Sequence, residues 1–329
     1  MRPTGLVLDV DTGTDDAIAI MLAALDPRLE LVACTTVSGN ADVATCTSNT
    51  LAVLDAIGRH DIPVHEGLSA RSLPVDDVQA ARSKALHGTR LPVPPSSRRK
   101  SATSAVDYLL ERFARPPEAD GVVLVATAPL TNIAAAVAAD PLFSSRVPRL
   151  VVMGGGHAIA NATPAAEFNI WADPEAAALV FSAGFPRLEL VTLDATHSAL
   201  VSVADCHALE AAGTHAGSIA ASLIGKRIEG HDATQPMPTL GTAPLHDALA
   251  VAMLIHPELL PLQELHVAVE TDGRLTRGRT VIDLQRRGSS GPNCRVALTA
   301  NGPGCVALLR EALGMGGPAA PPSQPRVQP

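Results

Sequence analysis

Aromatic residues are scarce in this chain: one Trp, one Tyr and five Phe make up 2% of 329 residues. A core built on stacked rings is therefore excluded, and Val, Leu, Ile and Ala, within a hydrophobic share of 47%, must fill the interior. Such aliphatic material suits a parallel sheet covered by helices on both faces. Positive charge is short as well, with 25 Lys and Arg against 33 Asp and Glu for a net charge of −8. No basic face interleaved with aromatics is present, which argues against a nucleic-acid binder. No run reaches the roughly 18 apolar residues of a membrane span, and no charged leader precedes the first apolar stretch. The five cysteines, at 34, 46, 206, 294 and 305, are odd in number and form no C-x-x-C pair, so no disulfide framework is expected. The resulting expectation is a reduced, cytoplasmic protein that engages neither nucleic acid nor membrane.

What is present starts at once. Leu6-Val7-Leu8-Asp9-Val10-Asp11-Thr12-Gly13-Thr14-Asp15-Asp16 reads as a buried strand, a tight turn and a helix start. Carboxylates suit the first turn of a helix, where free N–H groups carry partial positive charge. Four of them within eight positions repel one another unless something positive sits among them. A hard cation such as Ca²⁺ or Mg²⁺, which prefers carboxylate oxygens, is the simplest remedy.

Further along, strand and helix patterns alternate. Strands are expected over 29–37, 121–126, 147–153 and 188–193, with a short one at 62–64, and helices over 45–57, 103–113, 174–181, 203–212, 218–228, 243–255 and 305–313. Alternation at this interval signals right-handed βαβ units and an open, mostly parallel α/β sheet. Residues 71–101, rich in Pro and Ser, break the pattern and read as a mobile flap within a single domain spanning 1–313. Residues 230–241 read as an irregular polar stretch, 262–300 as short strands, and 314–329 as a disordered tail.

In such a sheet ligands bind beyond the carboxyl ends of the strands. The unusual polar residues fall there: Asp9 and Asp11, Asn40, Thr127, the run Gly154-Gly155-Gly156, then Asn161 and Glu167-Phe168-Asn169, with His246-Asp247 opening an apolar helix. Together they outline one polar crevice.

Asp9-Val10-Asp11-Thr12-Gly13-Thr14-Asp15-Asp16 resembles the D-x-D-x-G-x-D-D signature of the inosine-uridine-preferring nucleoside hydrolase family. Ser38-Gly39-Asn40, His87-Gly88, Thr127-Ala128-Pro129-Leu130-Thr131-Asn132 and Met153-Gly154-Gly155-Gly156 follow in the family's order. So do Ala166-Glu167-Phe168-Asn169 with Asp173-Pro174-Glu175-Ala176, His246-Asp247, and Thr276-Arg277-Gly278-Arg279-Thr280. The likeness covers about residues 5–300. It implies a Rossmann-like fold and hydrolysis of the N-glycosidic bond of ribonucleosides to ribose and free base. It also implies a Ca²⁺ held by Asp11, Asp15, Asp16, Asp247 and the Thr127 carbonyl, with Asp11 as general base for the attacking water and Asp9 in support. Asn40, Asn161, Glu167 and Asn169 are the implied ribose clamp, with Phe168 and Met153 on the sugar's apolar side. His246 is the candidate acid for the leaving base, because histidine titrates near neutrality. His87 and His231 are candidate base contacts, whereas His157 and His197 read as structural. A homodimer or homotetramer is also implied.

Two departures from the pattern stand out. After His87-Gly88 the family's Gly-rich segment is replaced by Thr89-Arg90-Leu91-Pro92-Val93-Pro94, and Ala128 replaces the usual Gly. These leave the choice of purine or pyrimidine open. Two other readings compete: a Mg²⁺ phosphohydrolase using Asp9 or Asp11 as nucleophile, and a nucleoside-binding protein without turnover. Gly13 stands where the phosphohydrolase motif wants Thr or Val, and the presence of both Asp11 and His246 gives no support to loss of turnover.

Overall fold

The structure, a computed structural model, describes residues 2–69, 84–88, 90–115 and 121–314. Its strands are β1 Thr4–Val10, β2 Leu29–Thr36, β3 Val64–Glu66, β4 Val123–Ala126, β5 Leu150–Met153, β6 Leu188–Val191, β7 Leu200–Ser202, β8 Thr242–Pro244, β9 Leu262–Leu265, β10 Val267–Val269, β11 Thr280–Ile282 and β12 Cys294–Ala297. Eight of them form one sheet in the order β3-β2-β1-β4-β5-β6-β12-β9. Every pair in it is parallel except β9 with β12. The expected α/β architecture is therefore present.

Side chains alternate across each strand, and the core divides accordingly. Leu6, Leu8 and Val10 face one side, packed with residues of the helices Thr14–Leu25, Val43–Ala56, His215–Thr234, Asp247–Ile255 and Gly302–Gly314. Val7 faces the other, with Leu109, Ile133 and Val180 from the helices Ala105–Arg112, Thr131–Ala139 and Pro174–Ser182. Each fully buried aliphatic side chain contributes about 1.5–3 kcal/mol, so two-sided burial fixes β1 at the centre of the sheet.

From β1 the chain first winds outward through β2 and β3, then returns to the other side of β1 as β4. That reversal leaves a crevice between the carboxyl ends of β1 and β4. Asp9 and Asp11 lie at one lip and Thr127 at the other.

Two elements differ from expectation. The helix expected over 218–228 runs instead from His215 to Thr234, and absorbs the first part of the stretch read as irregular. Gly230, which ordinarily weakens a helix, sits where a Cβ would lie 2.6 Å from the Ala85 carbonyl oxygen, so only glycine lets the 84–88 turn pack here. The helix expected over 243–255 begins only at Asp247. Pro244 lacks an N–H and disfavours helix in the residue before it, and Thr242–Pro244 pairs antiparallel with Leu200–Ser202 instead.

Of the segment read as a flap, residues 90–101 are tied to the body. Leu91 is buried, Ser96 donates to Asp55 at 2.5 Å, and Arg98 donates to the Ile62 carbonyl at 2.6 Å. Residues 71–83 and 89 lie outside the described residues, as does the expected tail beyond Gly314. Among the described residues no helix is long and apolar enough to cross a membrane.

Candidate active site

The Thr14–Leu25 helix starts at Gly13, whose N–H donates to Asp16 Oδ2 at 3.0 Å. Capping thus accounts for one oxygen of one aspartate. Asp16 Oδ1 also accepts from Thr127 Oγ1 at 3.0 Å, which ties the helix start to the end of β4. Asp11 follows β1 and takes the Asn40 backbone N–H on its Oδ2 at 2.7 Å. Asp247, in the first turn of a helix more than two hundred residues later, is brought alongside. Asp15, Asp16 and Asp247 each present a carboxylate oxygen within 4.8 Å of the others, an arrangement that could hold a metal ion.

The electrostatics show how strained the cluster is as an all-acid group. Burial, with the neighbouring charge of Asp15 added, pushes Asp16 up to about 7. Burial together with Asp15 and Asp16 drives Asp247 well above the carboxylate range. Burial would also raise Asp15, but Arg227 and then His87 hold it below its ordinary value. Asp9 lies deeper, fully buried, bonded to Thr35 Oγ1 at 2.5 Å and Asn132 Nδ2 at 2.9 Å, and burial still moves it up to about 6.

The other expected residues converge on one cleft, lined by Asp11, Asp15, Asn40, His87, Thr127 and Met153, and further round by Asn161, Glu167, Phe168, Asn169, His246 and Asp247. Asp16 lies just beneath it, fully buried. Several of these side chains also build the wall. Glu167 caps the Phe168–Ala172 helix, accepting from Asn169 N at 2.9 Å and Ile170 N at 3.1 Å, and from Gly155 N at 2.8 Å. Burial outweighs these bonds and lifts its pKa to about 7. Asn169 Nδ2 donates to the Thr127 carbonyl at 3.0 Å and the Met153 carbonyl at 3.2 Å. Asn161 Oδ1 accepts from Phe168 N at 2.9 Å. Thr280 grips the glycine run, accepting from Gly156 N at 2.9 Å and donating to Gly156 O at 2.7 Å.

His87 rides on a helical turn over the helix start, where its Nδ1 accepts from Thr14 N at 3.1 Å and lies 3.5 Å from Asp15 Oδ1. Burial, only partly opposed by Asp15, takes it down to about 4. His246 is 6% exposed with Nδ1 at 2.8 Å from Thr196 Oγ1. Burial, then Arg227 and the neighbouring histidines, holds it well below its ordinary value. His231 is 2% exposed and moved down to about 3 by burial and then Arg227. The His197 ring centroid is 5.8 Å from that of His246, while His157 is exposed at the rim.

The sequence did not suggest Arg227, Gln235 or Leu86, which also line the cleft. Arg227 and His231, four residues apart, lie on one face of the His215–Thr234 helix, and Gln235 caps its C-terminal end. The available signal was that Arg227 falls in register with apolar Ala220 and Leu223, seven and four positions earlier.

Comparison with known proteins agrees with this geometry. Residues 6–307 match the inosine-uridine preferring nucleoside hydrolase family. The chain is 38% identical over 311 residues to a pyrimidine-specific ribonucleoside hydrolase RihA of Escherichia fergusonii, covering 94% of this chain and 97% of the relative. Its fold is similar to that of a purine-preferring ribonucleoside hydrolase from Gardnerella vaginalis, with TM-score 0.86, 31% identity, and coverage of 94% of this chain and 98% of the other. A plant nucleoside hydrolase superposes with TM-score 0.83 at 29% identity, covering 95% and 99% of the two chains.

Proposed function

The chain belongs to the inosine-uridine preferring nucleoside hydrolase family and is a ribonucleoside hydrolase, an N-glycosidase; from that premise we propose a Ca²⁺-dependent enzyme that releases ribose and free base in nucleoside salvage. The observation that carries this is the cluster of Asp15, Asp16 and Asp247 at a cleft that Asp11, Asp15, Asp247 and Thr127 line. Carboxylates pushed up as far as Asp16 and Asp247 call for positive charge beyond Arg227. An all-oxygen donor set of irregular geometry suits Ca²⁺, which takes six to eight oxygens, better than Mg²⁺. Such an ion, once bound, makes water easier to deprotonate and offers positions to sugar hydroxyls.

The chain's own groups do the rest. Asp11, fixed by the Asn40 N–H, takes the proton of the attacking water. Asn40, Asn161 and Asn169 offer donors and acceptors to the ribose hydroxyls, and the buried Glu167 favours positive charge developing on the ring. Met153 and Phe168 cover the sugar's apolar side. His246, steadied by Thr196, is the proton donor to the base; an imidazolium formed in so buried a place gives its proton up readily. Buried free thiols at all five cysteines support a cytoplasmic setting, and the family likeness supports a homodimer or homotetramer, which light scattering would size.

Asp11→Ala, compared with wild type on a nitrophenyl riboside, tests the proposal. Loss of nearly all turnover with a melting temperature within a few degrees of wild type is expected. Near-normal turnover in the folded variant would overturn it.

A further inference from the structure

Arg227 is 5% exposed, deep in the wall of the cleft. Its Nη1 lies 2.9 Å from Asp15 Oδ2 as an ion pair, yet neither Nη1 nor Nε is aligned on any hydrogen-bond acceptor. One helical turn on, His231 is 2% exposed and its Nε2 has no hydrogen-bond partner. Two neighbouring side chains that line a cleft and keep buried polar atoms unspent are shaped for something that enters it. The proposed ribose-binding groups Asn40, Glu167 and Asn169 come from other elements, after β2 and β5, whereas Arg227 and His231 share one face of the His215–Thr234 helix, with its C-cap Gln235 and His246 also lining the cleft. The histidine side of the cleft is the side left for the base.

We propose that Arg227 is a catalytic residue that receives the negative charge of the departing base. The inference rests on the ribonucleoside hydrolase reading above. In the step concerned, the bond from C1′ to the base nitrogen breaks and its electron pair goes to that nitrogen. Where a ring carbonyl is conjugated with it, the charge spreads onto the carbonyl oxygen, within the cleft that the guanidinium lines. The water oxygen bonds to C1′ and its proton passes to the Asp11 carboxylate. The base anion then takes its proton from His246, which is reprotonated from solvent while Asp11 gives up its proton there, and the products are ribose and neutral base. A guanidinium keeps its charge at every working pH. A fixed charge in a water-poor site acts on developing charge without reorganising. Asp15 holds the group in place, so it faces the base whether or not a substrate is bound.

The consequence is a weak dependence of rate on leaving-group acidity, which becomes steep once the charge is removed. The test measures kcat with saturating Ca²⁺ for uridine, 5-methyluridine, 5-fluorouridine and a nitrophenyl riboside, with wild type, Arg227→Gln and Arg227→Lys. Arg227→Gln should lower kcat on uridine by about 10²–10³-fold, the usual effect of removing one such donor. The loss should be greater for 5-methyluridine and smaller for 5-fluorouridine and the nitrophenyl riboside, and Arg227→Lys should recover part of it. A parallel calorimetric Ca²⁺ titration separates a change in metal affinity, which would act on all substrates alike. An equal loss on all four substrates, or a rise in KM at constant kcat, would overturn the proposal while leaving the enzyme a nucleoside hydrolase. If Arg227→Gln fails to fold, a Lys variant with the wild-type leaving-group slope supports the proposal and one with a loss independent of leaving group overturns it. A wild-type protein that releases neither base nor nitrophenol would overturn the parent reading and this one with it.

Discussion

Replacing Gly39 by alanine should cripple turnover and spare the fold. A Cβ at Gly39 would lie 1.8 Å from Asp11 Oδ2, 2.6 Å from Asp11 Cγ and 2.9 Å from Asp11 Cβ. All three distances are below any real contact, so the whole Asp11 side chain must withdraw, by more than about 1 Å, a displacement that commonly costs about 10² in rate. Withdrawal also breaks the 2.7 Å bond from the Asn40 N–H, a charge-assisted bond of about 1.5–3 kcal/mol. Gly39 is not among the glycines with positive φ, so alanine is conformationally allowed. Its stiffer unfolded chain returns about 0.4–1 kcal/mol of stability. The expected outcome is a kcat on a nitrophenyl riboside lower by about 10²-fold, with a melting temperature lower by only a few degrees. A kcat within about 3-fold of wild type would refute the placement of Asp11 as the group that takes the water's proton.

Other expectations follow from the same geometry. In chelator-treated protein Asp9 stands at about 6 and Asp16 and Glu167 at about 7, raised chiefly by burial. Carboxyls that hold protons more tightly folded than unfolded support the fold below about pH 4 and lose that support as pH rises through 6–7. Metal-free protein should therefore melt at lower temperature at about pH 8 than at about pH 5, and added Ca²⁺ should raise Tm more at the higher pH; a flat profile would contradict it. Thr196→Val removes the hydroxyl 2.8 Å from His246 Nδ1, and should lower kcat by about 10–100-fold with little change in KM. Thr280→Val deletes both bonds to Gly156, so thermal unfolding should show a loss of about 2 kcal/mol.

The sheet was legible because β1, β4 and β5 are short aliphatic runs bounded by glycine, proline or acidic residues, a pattern that only a two-sided core explains. The acid cluster was legible because four carboxylates within eight positions conflict with simple capping. Other features depend on contacts that a linear pattern does not carry. Gly230 looks like a helix breaker until the 84–88 turn is seen packed against it. Pro244 moves a helix start by pairing its neighbours with β7. Arg227 adjoins Lys226 in sequence and nothing local separates the two, yet only Lys226 reaches solvent. Glu167 was legible as a site residue, but its second duty as a helix cap follows from the fold alone.

The most direct measurement is free-base release from a panel of ribonucleosides by the purified chain, with chelator, without it, and with Ca²⁺ restored. Ribose and base in equal amounts are expected, abolished by chelator and recovered with Ca²⁺. Base release undiminished by thorough chelation, or phosphate rather than base released when nucleotides are offered, would contradict it.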